Sequence, residues 1–149
     1  NTNLLYLTSD LHIDSVYCNR DHLFADLEEA RKRNAQIFII GDIFDAMQGK
    51  FDPRRDLSEL RPEYRRADYY DYVVQDVAKL LAPYASNLVM ISPGNHETAV
   101  LKNSSISLID RLIYILKMES HSPVLQGGYG GWINSGTKTI EGTFVFLIA

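Results

Sequence analysis

Three short apolar runs, at residues 4–7, 37–40 and 88–91, each give way to a polar segment carrying cation-binding side chains. Runs this short and apolar read as buried strands, and sequence of helical period separates the first from the second. Strands alternating with helices fold as a parallel α/β sheet with right-handed crossovers. The polar segments are Asp10-Leu11-His12, Gly41-Asp42-Ile43-Phe44-Asp45 and Gly94-Asn95-His96-Glu97. All three leave the carboxyl ends of strands, the edge where ligands of α/β sheets bind. A lone Asp or His at a strand end is ordinary. Three such segments in order would be three coincidences.

The residue types narrow the chemistry. Asp10 and His12 are two apart, so on an extended chain they share one face. A carboxylate beside an imidazole suits Mn, Fe or Zn better than Ca or Mg. Asp42 offers two oxygens and can bridge a pair of ions, while Asn95 adds a neutral carbonyl oxygen to the second. Two divalent ions about 3.5–4 Å apart clamp a phosphoryl group and turn water into hydroxide near neutral pH. His96 is then the candidate proton donor to the departing oxygen, with Asp45 the candidate to hold its ring. Glu97 reads as a helix-start acid or a partner behind the ligands. Asp14 lies near the site and reads as the start of a loop, and His22 and His121 as surface residues.

The ordered pattern D-x-H, G-D-x-x-D, G-N-H-E resembles the calcineurin-like metallophosphoesterase superfamily, over a framework from residue 4 to residue 97. The resemblance implies a four-layer α/β/β/α sandwich with a mostly parallel first sheet and flanking helices. It implies Asp10, His12 and Asp42 as ligands of a first metal, and Asp42 with Asn95 as ligands of a second. By the same resemblance His96 is the catalytic histidine and Asp45 its carboxylate partner. Manganese is the expected ion, with iron or zinc as alternatives. The family pattern goes on to a further His and a G-H-x-H segment, and no histidine after His96 here follows a glycine. The expectation is therefore one phosphoesterase domain over residues 1–149, forming the N-terminal portion of a longer protein and weakly active or inactive by itself. The rest of that chain, or a second copy, is the expected partner.

The implied activity is phosphoester hydrolysis by a metal-activated hydroxide. Gly41-Asp42-Ile43-Phe44-Asp45 is similar to the variant in double-strand-break repair nucleases and in lipid-A-pathway pyrophosphohydrolases. The lipid hydrolases usually carry Arg in place of His96. A phosphodiesterase or nuclease, with nucleic acid among its candidate substrates, is therefore favoured over a nucleotide-lipid pyrophosphohydrolase. Protein phosphatase is disfavoured, because Phe44-Asp45-Ala46 departs from the Asp-Arg-Gly usual there. The contrasting class is a non-catalytic interaction module of the same fold. Such relatives commonly lose ligands or the catalytic His, and here every first-half residue is intact.

A formal net charge of −4 argues against a generally basic nucleic-acid-binding surface. It does not exclude a phosphate substrate, since Asp10, Asp42 and Asp45 would lie under cations that invert the local field. Cys18 is the only cysteine, so no intrachain disulfide forms, and no secretory leader is visible. A cytoplasmic setting is expected on those grounds. No run approaches the roughly 20 apolar residues of a membrane span.

Between the motifs, residues 22–33 read as a helix capped by Asp21, with Leu23, Leu27 and Ala30 on its apolar face, followed by a strand at 36–40. Residues 48–66 lack apolar periodicity and read as a long loop with a helical turn at 57–60. The loop mixes Lys50, Arg54, Arg55, Arg61, Arg65 and Arg66 with Asp52, Asp56, Glu59 and Glu63. It reads either as a solvated loop or as a substrate-facing flap whose arginines hold phosphates. Tyr64, Tyr69, Tyr70 and Tyr72 nearby could stack on bases, though helical spacing favours packing for most. Helices at 65–81 and 104–118 follow, with a bulged strand or hairpin near the glycines at 127–131. Residues 143–149 read as a strand opening a second sheet.

Overall fold

The three apolar runs become three neighbouring strands. The computed structural model describes residues 4–46 and 55–130. Strands β1 (Leu5–Thr8), β2 (Gln36–Ile40), β3 (Leu88–Ser92) and β4 (Leu125–Gln126) lie side by side in that order, all parallel. Helix α1 (Arg20–Lys32) joins β1 to β2, and α2 (Tyr69–Leu81) joins β2 to β3. Helices α3 (Asn95–Ser104) and α4 (Leu108–Ser120) join β3 to β4.

Right-handed crossovers that all step in one direction put their helices on one face of the sheet. The side chains agree. Ile37 pairs with Leu88 and Ile39 with Ile91, and these four share one core with Leu27 of α1, Val73, Val77 and Leu81 of α2, and Leu112 and Leu116 of α4. All are essentially buried, and each such side chain contributes about 1.5–3 kcal/mol relative to exposure. The opposite face carries the row Leu7, Phe38, Met90 and Leu125, matched by register. Along it Phe38 is buried, whereas Leu7 and Leu125 are 41% and 61% exposed. The strand expected at 143–149 lies outside the described residues.

Helix ends differ from the expected ones for local reasons. Asn19, rather than Asp21, caps α1, its side-chain oxygen accepting from the His22 amide at 3.1 Å. Asp21 falls in the first turn, where a carboxylate still favours the helix dipole. Helix α2 starts at Tyr69 and not at Arg65, because a short 3₁₀ turn at Pro62–Tyr64 and an Arg66–Asp68 pair occupy the approach. The stretch expected as one helix at 104–118 divides. Ser105, with φ of 55°, ends α3, and the Ser107 hydroxyl caps α4 by accepting from the Asp110 amide. His121 is exposed and forms the left-handed cap of α4. His22 is exposed on α1.

The approach to α2 is tied to the segment after β1. Leu60 bridges to Ser15, and the Arg61 guanidinium donates to the carbonyls of Ser15 (3.1 Å) and Cys18 (2.9 Å). Arg65 donates to the Leu60 carbonyl at 3.1 Å, and Arg66 binds Asp68 while covering the Tyr72 ring. These arginines serve the loop's own backbone and neighbours, which departs from a phosphate-holding flap. Lys50 and Arg54 lie outside the described residues. The rings of Tyr64 and Tyr69 are buried in the core and do not offer a stacking surface; Tyr70 and Tyr72 pack half-buried against it.

The glycine-rich segment is entered from a parallel strand: β4 pairs with β3, and the Gly127 amide donates to the Ile91 carbonyl at 2.9 Å, while residues from 131 on lie outside the described residues. A Cβ at Gly127 would lie 2.1 Å from Ser92 Oγ, so a side chain there would require the Ser92 and Met90 side chains to move. Among the described residues no helix is long and apolar enough to cross a membrane.

Candidate metal centre

Beyond the sheet the loops continue to pair. The amides of Asp10, His12 and Ile13 donate to the carbonyls of Gly41, Asp42 and Ile43 at 3.0–3.1 Å. The Gly41 amide in turn donates to the Ser92 carbonyl at 3.1 Å. This zipper sets the three motif segments side by side at the carboxyl edge of β1, β2 and β3.

The backbone there is unusual. Asp10, His12 and Asp42 all adopt left-handed conformations, with φ of 54°, 43° and 48°. Such residues cost free energy and persist only where the surroundings impose them. The result is convergence: ligating atoms of Asp10, His12 and Asp42 lie within 4.8 Å of one another. A second such cluster joins His12, Asp45 and His96. The rings of His12 and His96 meet edge to face, 4.6 Å between centroids.

Asp45 contacts both histidines through different atoms. Its carboxylate Oδ1 lies 3.1 Å from His12 Nδ1 and 3.8 Å from His96 Nδ1. Its main-chain carbonyl accepts from His96 Nδ1 at 2.5 Å. The sequence points the Asp45 carboxylate at the His96 ring; the closer contact is the Asp45 carbonyl, and the carboxylate lies nearer His12 than His96. The Asp45 hydrogen bond raises the His12 pKa above the ordinary imidazole value, with burial opposing it. With Nδ1–H committed to Asp45, Nε2 of His12 is left as the lone-pair nitrogen, the arrangement in which a carboxylate orients a metal-binding imidazole.

Helix α3 opens directly on this edge. Asn95 is its first residue and is exposed. The His96 amide donates to Asp42 Oδ1 at 2.9 Å, so the helix terminus fixes that carboxylate. Gly94 makes the approach feasible. A Cβ there would sit 2.2 Å from Asp42 Oδ1 and 2.4 Å from the Asp42 nitrogen.

Two residues outside the expected ligand set hold the loops in place. Glu97 is buried, and its carboxylate accepts from the amides of Gly94 (2.8 Å), Phe44 (2.9 Å) and Asp42 (3.2 Å). It clamps the loop after β2 to the loop after β3. Burial pushes its pKa up, and the amide donors pull it back. The signal was present: Glu three residues after a helix N-cap is a capping position. Asp14 is buried likewise and binds the amides of Asp45 and Ala46 together with the Tyr69 hydroxyl. No sequence pattern marks it, since its partners are 31, 32 and 55 residues away.

The donor set suits a cation. Carboxylates from Asp10, Asp42 and Asp45 gather here, and among the described residues no lysine or arginine forms an ion pair with them. Asp45 Oδ2 is buried with no hydrogen-bond partner, a costly state for an anionic oxygen that a metal or its ligands would relieve.

No curated protein and no solved structure matches the chain. A family model does, that of the calcineurin-like phosphoesterases, over residues 4–144. The match runs through all three motif segments and the parallel sheet that gathers them. The chain belongs to the calcineurin-like phosphoesterase family.

Proposed function

We propose that this protein hydrolyses phosphodiesters, nucleic acid among them, with two divalent metal ions held at the carboxyl edge of β1, β2 and β3. Membership in the family implies metal-dependent phosphoester hydrolysis; the substrate class and residue roles are our reading. One observation carries it: the ligating atoms of Asp10, His12 and Asp42 come within 4.8 Å of one another, beside His96. Asp10, His12 and Asp42 would hold the first ion, and Asp42 with Asn95 would contribute to the second. Manganese suits this mixed carboxylate and imidazole set, with iron or zinc as alternatives. When bound, two such ions polarise the phosphoryl oxygens and bring the pKa of water close to neutrality.

The chain's own residues supply orientation and a proton. Asp42 is kept in position by the His96 amide and by the absence of a side chain at Gly94. His96 donates the proton that the leaving oxygen needs, from Nε2, because Nδ1 is held by the Asp45 carbonyl. Asp45 orients His12 through its carboxylate. Cys18 as the lone cysteine fits the reducing cytoplasm.

Asp42→Asn and His96→Ala separate the two halves of this reading. Asp42→Asn should lose both bound metal and hydrolysis of a phosphodiester, assayed together with added manganese. His96→Ala should keep its metal, yet lose about 10²–10⁴-fold in turnover on esters with poor leaving groups and less on activated aryl esters. Full metal content with near-normal turnover in Asp42→Asn would refute the ligand role. Equal losses on both ester types in His96→Ala would refute the proton donor.

A further inference from the structure

Asp14 belongs to none of the three motifs, yet it is fully buried and its carboxylate is saturated with donors. Oδ1 accepts from the Asp45 amide at 2.6 Å, and Oδ2 accepts from the Ala46 amide at 3.2 Å and from the Tyr69 hydroxyl. A carboxylate so deep is costly unless its oxygens are occupied. Closing a loop would not by itself require a charge.

What the carboxylate fixes is the plane of one peptide. The Ala46 N–H and the Asp45 C=O belong to the same trans peptide group, so they point to opposite sides. Asp14 holds the N–H side. The His96 ring is held on the C=O side, with Nδ1 at 2.5 Å from the oxygen. Ala46, which follows that peptide, is itself left-handed, with φ of 53°. Rotation of that plane would break both contacts at once. A carbonyl oxygen only accepts, so His96 Nδ1 must carry its hydrogen whether the ring is neutral or charged. Nε2 is thereby the nitrogen left outside the contact with Asp45.

We infer that Asp14, secured by Tyr69, is a positioning residue that sets the tautomer and direction of the His96 ring through the peptide between Asp45 and Ala46. The inference rests on the proton-donor role proposed for His96, but the tautomer itself can be measured independently. Tyr69→Phe removes one donor while keeping the ring. Asp14→Asn replaces an acceptor oxygen with an NH₂ group that confronts an N–H.

The test uses the intact protein. Nitrogen-15 NMR of its histidines reads the His96 tautomer, and steady-state kinetics compares an alkyl with a nitrophenyl phosphodiester. In both variants the His96 resonance should move from a fixed Nδ1–H form toward a mixture of tautomers. Turnover on the alkyl ester should fall by roughly 3–10-fold in Tyr69→Phe and 10–100-fold in Asp14→Asn, with smaller losses on the nitrophenyl ester. KM and metal content should stay within about twofold, a split that general loosening of the loop would not give. Variants that fold, keep the Nδ1–H form and lose both activities equally or not at all would overturn the inference. If Asp14→Asn does not fold, Tyr69→Phe decides alone. His96→Ala keeps the two readings apart: if it discriminates between the esters while the Tyr69 and Asp14 variants leave tautomer and discrimination unmoved, the positioning role falls and the proton donor stands. If His96→Ala fails to discriminate, the donor falls, and the tautomer measurement still judges Asp14.

Discussion

At the scale of single residues, the site depends as much on what is missing as on what is present. Gly94 has φ of −103°, which any residue can adopt, so its requirement is steric and not conformational. The carboxylate and amide of Asp42 occupy the space its side chain would fill. Gly94→Ala should therefore displace Asp42, lowering metal affinity by about tenfold or more and stability by about 1–3 kcal/mol. Titration of metal binding alongside chemical denaturation checks this, and unchanged affinity would show that the loop can yield without moving the carboxylate. Asp10, His12, Asp42, Asn95, His96 and Asp45 stand out as candidates in the sequence because their types and order carry chemistry, and the structure brings all of these except Asn95 into two clusters. It left Asp14 unmarked, since a buried carboxylate that binds backbone amides has no periodic neighbour to announce it. Which atom of Asp45 meets His96 is also beyond reach, because a residue type does not say whether its side chain or its main chain makes a contact.

Among elements, the strands were the most legible and the helix ends the least. β2 falls on residues 36–40 as expected, β1 lies one residue later, and β3 extends by one residue at its end. Caps were harder to read, because Asn19, Asp21, Ser105 and Ser107 all belong to types that end or begin helices, and tertiary geometry selects among them. The segment before α2 was misleading for a different reason. Its charges suggested solvent or ligand, yet Arg61 donates to two backbone carbonyls and holds the turn after His12. Arg61→Ala should consequently lower stability by about 1–3 kcal/mol, since it strands those carbonyls, while leaving KM for a phosphodiester within about twofold. A large rise in KM with unaltered stability would restore the flap reading.

Across the whole molecule, the parallel sheet stacks its helices on one face and gathers its polar loops at one end, so packing and chemistry occupy separate regions. The left-handed backbone at Asp10, His12 and Asp42 joins the two. Each such residue costs up to about 1–2 kcal/mol, less for an aspartate, and glycine removes that cost while adding about 0.5–1 kcal/mol of chain entropy. Relief of charge crowding beside Asp42 adds to the benefit. Metal-free Asp10→Gly protein should then be at least as stable as its parent, by up to about 1 kcal/mol in thermal unfolding with chelator, although it would have surrendered a proposed ligand. A loss of more than about 1 kcal/mol would show the conformation to be unstrained. The consequence is a trade-off written into the fold. Asp10→Gly should harden the protein at a position where its proposed chemistry is lost, so a screen for heat resistance alone would retain a variant whose candidate metal site is emptied.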